Sequence, residues 1–199
     1  MEISAQQVKE LRDQTGAGFM DCKRALQDTS GDTEKARMIL REKGLAKALK
    51  KATRETSEGV IATYVHGDGR IGVMLELACE TDFVARNEEF RKLARDLAMQ
   101  VAAMNPLVVK PEDLPEATLK AERELYLKEC ADKPQQVRDR IVEGKLEKFY
   151  EQACLIRQPY IREETQRVED VIKSAIAKLG ENVEVKRFVR MALGETPAE

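Results

Sequence analysis

The sequence has no tryptophan, a single histidine and four cysteines in 199 residues. Aromatic residues make up only 5% of the chain, as expected of a protein that is mostly helix. Cys22, Cys79, Cys130 and Cys154 are widely scattered, with no CxxC spacing and no Cys/His pair. That argues against a zinc or dithiol redox site, and the thiols are expected to be reduced and mostly buried. No run approaches the ~18 apolar residues of a membrane span. The opening MEISAQQVKELRD lacks the apolar core of a secretion signal. A cytoplasmic chain without a membrane partner is the expectation.

Signatures of catalysis are missing as well. There is no GxxxxGK[ST] phosphate loop, no GxGxxG leading from a strand into a helix, no HExxH and no GxSxG. The lone His66 lies at a GDG turn, so Ser/His/Asp catalysis would rest on a turn residue. Glu80 and Asp82 stand two residues apart, but acid/base work needs carboxylates converging in a cleft with shifted pKa values. No enzyme activity, metal or cofactor is expected.

Charge of one sign is also lacking. Charged residues are abundant at 35%, yet 34 basic and 36 acidic side chains nearly cancel. The chain as a whole is therefore not a polyanion binder. Its 42% apolar content permits at least one sizeable core, in one large domain or two small ones.

What is present is organised by period. Residues 1–43 read as three short helices. Val8 and Leu11 sit at i, i+3 in the first, which Thr15-Gly16 closes. Cys22, Ala25 and Leu26 form the stripe of the second. Asp32 can cap the third, with Ala36, Ile39 and Leu40 inward. Residues 44–57 read as a basic, solvated linker, with its helicity left open. RNA contact through Lys43 to Arg54 is the sharper alternative, although no aromatic there could stack on a base. A helical adaptor acting through residues 1–43 alone is another.

Residues 58–199 read as an α+β core. GVIATYVHGDGRIGVMLELAC is two apolar runs around GDG, a hairpin signal. A helix follows with Phe90, Leu93, Ala94, Leu97, Val101 and Met104 on one face. Two more helices come next, the second with Val137, Ile141, Val142, Leu146, Phe149, Tyr150 and Ala153 inward. Thr165 can cap a last helix. Val183, Val185, Val189, Met191 and Leu193 share one parity and predict a third strand. So narrow an antiparallel sheet invites a partner or a second copy on its uncovered face.

Two apolar groups fall on turns. TGAGFMD puts Phe19 and Met20 at the start of the second helix, where a helix-packing role would look the same. ETDFVARNEEF puts Phe83 on a strand-to-helix connection. There it either seals the end of the sheet or is held out for a partner to bury.

LRDQTGAGFMDCKRAL (Leu11 to Leu26) and ETDFVARNEEF resemble the two signature segments of the bacterial elongation factor Ts family. KPQQVRDRIVEGKLEKFYEQACLIRQPYI and VEVKRFVRMALGE are similar to its later core segments, so the resemblance runs nearly end to end. It implies a guanine-nucleotide exchange factor for the translation GTPase elongation factor Tu, with an N-terminal module of ubiquitin-associated type. It implies that Thr81, Asp82, Phe83 and Val84 enter the GTPase and disturb its Mg²⁺ site, with no direct nucleic-acid contact. It further implies that Arg12, Phe19 and Met20 hold a helix of the same GTPase domain. Long members carry two core blocks. This sequence has one, which resembles the short form that pairs as a homodimer. Some short members are covalently linked near the end, but no cysteine follows Cys154 here.

Overall fold

Ser4 starts the first helix of the computed structural model, which describes residues 3–195. The chain divides into two units, built from Met1–Gly59, Ala78–Phe90 and Asp170–Glu184, and from Val60–Leu77, Arg91–Glu169 and Val185–Glu199. Several elements run through both.

The first unit begins with three helices, α1 (Ala5–Thr15), α2 (Phe19–Asp28) and α3 (Thr33–Lys51). Local chemistry sets their ends. Ser4 and Gln7 form a reciprocal capping box, and Gly16 at φ 65° turns α1 off. Asp32 accepts the Lys35 N–H at 3.0 Å at the start of α3. Val8, Leu11, Cys22, Ala25, Leu26, Ala36 and Leu40 then meet in one buried cluster, with Ile39 packed on it. The third helix does not stop at residue 43. It continues through the basic stretch to Lys51, passing Gly44, whose missing side chain lets α8 (Val168–Leu179) approach. A Cβ there would lie 3.2 Å from Ala177 Cβ.

The second unit carries a three-stranded antiparallel sheet in the order β1 (Glu58–His66), β2 (Ile71–Cys79), β5 (Val183–Ala192). Three successive residues with positive φ, Gly67, Asp68 and Gly69, close the β1–β2 hairpin. Arg187 pairs with Glu76, and the Leu193 N–H donates to the Arg70 carbonyl. Both contacts join the β2 segment to the β5 segment. Ala62, Val73, Leu75, Leu77 and Val185 are buried. Ile61, Val65, Met74, Val189 and Met191 are exposed. The shared parity of β5 therefore does not give one buried face, because burial ends after Val185. Arg190 Nε reaches the Ala102 carbonyl of α5 (Glu88–Met104), which places α5 on the covered side.

The helix pair α6 (Glu116–Glu129) and α7 (Gln135–Ala153) buries little. Among their described residues only Val142 and Ala153 are fully buried, and Val137, expected to face inward, is 44% exposed. A two-stranded ribbon, β3 (Pro159–Tyr160) with β4 (Glu163–Arg167), was not expected. It displaces the proposed cap. Thr165 lies inside β4, its hydroxyl bonding Glu163, and α8 begins only at Val168. The Val168 N–H goes to the Gln158 carbonyl at 3.0 Å, so β-ribbon pairing supplies what the threonine cap would have. No helix among the described residues is long and apolar enough to cross a membrane.

Candidate functional site

The sequence ETDFVARN folds as a single helical turn, α4 (Asp82–Ala85), between β2 and α5. Backbone bonds from Ala85 N to Thr81 O and from Arg86 N to Asp82 O close it. Asp82 sits in the first turn, where a carboxylate suits the helix dipole, and pairs with Arg86 at 2.9 Å. Ala85 points in and is buried, and Val84 is half-buried. Phe83 points out and is 81% exposed. The ring therefore does not seal the end of the sheet and is held outward.

Thr81 is less free than its place on a connection suggests. Its N–H and its hydroxyl both donate to Glu181, at 3.0 and 2.7 Å. Next to it, Glu80 accepts the Asn182 N–H at 2.6 Å and pairs with Arg54. These contacts, led by the Asn182 amide, hold the Glu80 carboxyl below the usual carboxylate range. Cys79 completes the strand end, its thiol donating to the Thr81 carbonyl and pushed up to about 11 by burial. Sequence reasoning missed Glu181 and Asn182, because no local pattern marks a contact across 100 residues.

The other expected site residues lie on the three-helix cluster of the same unit. Arg12 is exposed in the last turn of α1, and its carbonyl accepts the Gly16 N–H at 2.7 Å. Phe19 and Met20 are the first two residues of α2, 44% and 62% exposed. The cluster beneath them is built from Cys22, Ala25 and Leu26, so neither side chain belongs to its buried set. Gly18 precedes them as the N-cap, with no side chain to cover the helix start.

Beside this turn lies a cleft of about 210 Å³, lined by Gly16, Asp21, Arg41, Lys43 and Lys47 among others. Asp21 pairs with Lys47 at 3.0 Å, and that bond leads in holding its carboxyl low. His66, the lone histidine, is exposed and bonds the Tyr64 hydroxyl at 3.1 Å. All four cysteines are buried and unpaired, as expected.

Known proteins match this sequence along nearly its whole length. The family model described as "Elongation factor TS" matches residues 24–195. Curated relatives named elongation factor Ts include one from Thermodesulfovibrio yellowstonii, 56% identical over 200 residues and covering 100% of each chain. One from Thermotoga maritima is 56% identical over 195 residues, covering 98% of each. One from Coprothermobacter proteolyticus is 52% identical over 197 residues, covering 98% of this chain and 100% of its own. With two separate signature segments and a model match over most of its length, the chain belongs to the elongation factor Ts family.

Proposed function

We propose that the protein is a guanine-nucleotide exchange factor for elongation factor Tu, acting in the cytoplasm without catalytic residues of its own. The observation that carries this reading is Phe83, a large apolar ring held in solvent on a one-turn helix. Burying such a ring is worth ~1.5–3 kcal/mol, which the free protein forgoes and a complex recovers. Wedged between packed helices of a GTPase, it forces a discrete shift, because protein interiors are close-packed. The Mg²⁺ that neutralises the bound phosphates lies in the neighbourhood disturbed. With the ion displaced, GDP leaves faster. Asp82 either repels the phosphates or accepts a hydrogen bond from the moved segment, and Val84 backs the ring. By linkage, a factor that weakens GDP binding is itself weakened by GDP in the same ratio.

Residues 1–43, as a module of ubiquitin-associated type, supply the anchor through Arg12, Phe19 and Met20. Residues 44–57 connect it to the core at 58–199. The core pairs as a homodimer through the uncovered sheet face, so that two factors serve two GTPases. Release of labelled GDP from purified elongation factor Tu, with and without this protein, tests the reading. Release should accelerate many-fold. An unchanged rate at saturating protein would overturn it.

A further inference from the structure

Thr81 is the N-cap of α4 yet makes no side-chain capping bond. A threonine there ordinarily accepts from a backbone N–H two or three residues further on. Here the hydroxyl is turned the other way, as a donor to Glu181 at 2.7 Å, and the Thr81 N–H takes the second Glu181 oxygen at 3.0 Å. The adjacent pair runs in reverse. The Asn182 N–H donates to Glu80 Oε1 at 2.6 Å. Each segment thus offers a carboxylate to the other's backbone amide.

A third segment joins this reciprocal pair. Buried Asn182 donates from Nδ2 to the Arg54 carbonyl at 2.8 Å and to Ala52 at 3.4 Å. Arg54 returns to Glu80, and Lys51 Nζ bonds the Gly180 carbonyl. Gly180, at φ +82°, makes the turn that delivers Glu181 and Asn182. The end of α3, the end of β2 and the α8–β5 turn are therefore tied at one point, directly before the Phe83 turn.

Nothing comparable holds the ring itself, which is exposed. A helix of four residues is too short to fix its own direction. The direction in which Phe83 projects is set where the turn meets the fold, at buried Ala85 and at the backbone anchor at Thr81. We infer that Glu181, with Glu80 and Asn182, is a positioning element that presets the Phe83 turn for entry into the GTPase. Its value is pre-organisation, because a turn already ordered loses less freedom on binding. The inference rests on the exchange reading above.

GDP release measured over a range of factor concentrations separates a maximal rate from a half-saturating concentration. Glu181→Ala should lower the maximal rate about tenfold and move half-saturation less than threefold. Made in a Phe83→Ala background, the same substitution should change the rate less than twofold, because there is no ring left to aim. An equal fractional loss in both backgrounds, or no loss in either, would overturn the proposal.

Hydrogen exchange of the free protein reads the clamp without the partner. The Thr81 amide should lose protection in Glu181→Ala while those of Leu11 and Leu26 keep theirs. Slowed GDP release with Thr81 protection unchanged would also overturn it. If the unaltered protein releases no GDP, the exchange reading fails, and the amide result still decides whether the clamp orders the turn. Glu181→Gln, which keeps the side-chain size, serves if the alanine variant does not fold. Loss of fold in both makes Glu181 a stability element and rejects the positioning role.

Discussion

Phe83 and Ala85 lie two residues apart on one helical turn, and their burial is inverted: the ring is 81% exposed and the methyl is 6% exposed. Packing alone favours the opposite choice, since a phenyl ring yields far more on burial than a methyl. Asp82 paired with Arg86 and Thr81 tied to Glu181 hold the turn in this orientation. The arrangement makes sense where a second protein supplies the missing contacts.

Phe83→Ala should therefore separate function from stability. Unfolding free energy should change by less than about 0.5 kcal/mol, as for an exposed site. GDP release from elongation factor Tu at saturating factor should slow at least tenfold. A stability loss of about 3–5 kcal/mol, the range of core Phe truncation, would mark the ring as a packing residue instead.

The anchor should behave differently. Met20 is exposed at the first turn of α2, outside the buried cluster of Cys22, Ala25 and Leu26. Met20→Ala should raise the factor concentration needed for half-maximal GDP release, with the maximal rate retained. Titration by calorimetry against the nucleotide-free GTPase gives the same answer directly. An unchanged affinity would reduce the residue to a solvent-facing part of the helix start.

Acid should loosen the tie behind the turn. Glu80 has its pKa lowered from 4.5 in the fold, first by the Asn182 amide and then by Arg54. A lowered folded pKa contributes stability that is present above the unfolded value and is lost as pH falls through the folded one. Glu80→Gln should thus cost stability at pH 7, and the cost should shrink below about pH 4.5. Urea unfolding of both proteins at pH 7 and pH 3.5 measures this. The same penalty at both values would show that the charge of Glu80 contributes nothing.

The parts of the fold that were legible in the sequence are the parts set by neighbours in the chain. Ser4, Gly16 and Asp32 act within four residues of themselves, and the i, i+3, i+4 stripes of Val8, Leu11, Cys22 and Leu26 follow from helix geometry alone. The basic run Lys43 to Lys51 reads as a linker whose helicity its charge does not decide, and it is the end of α3. Lysine, leucine and alanine are nevertheless good helix formers, and one glycine costs only about 1 kcal/mol. The β3–β4 ribbon had no such signal. EETQR does not alternate, and the ribbon depends on amides that read as surface residues. Gln100 is fully buried, donating to Gln158 and the Pro159 carbonyl and accepting the Ile161 N–H at 2.8 Å. Phe83 was legible as an oddity, an aromatic on a connection. Glu181 and Asn182 were not, since their partners lie a hundred residues away.

The uncovered face of the sheet carries the last prediction. Ile61, Val65, Met74, Val189 and Met191 are all exposed on strands whose other face holds buried Ala62, Val73 and Leu75. An exposed apolar patch on a narrow sheet suits a contact surface, since strands apolar on both sides are ordinarily covered on both. A second copy of the sheet, packed at about 10 Å, would cover it. Two-fold symmetry makes that contact self-complementary, with Arg187 and Glu76 available at its polar margin. Light scattering should then give twice 22.5 kDa across micromolar concentrations. Val189→Lys or Met191→Lys should shift the protein toward monomer without unfolding it, because each side chain is already exposed in one copy. GDP release should fall with the dimer. A monomeric variant with undiminished exchange would show that one core block is sufficient.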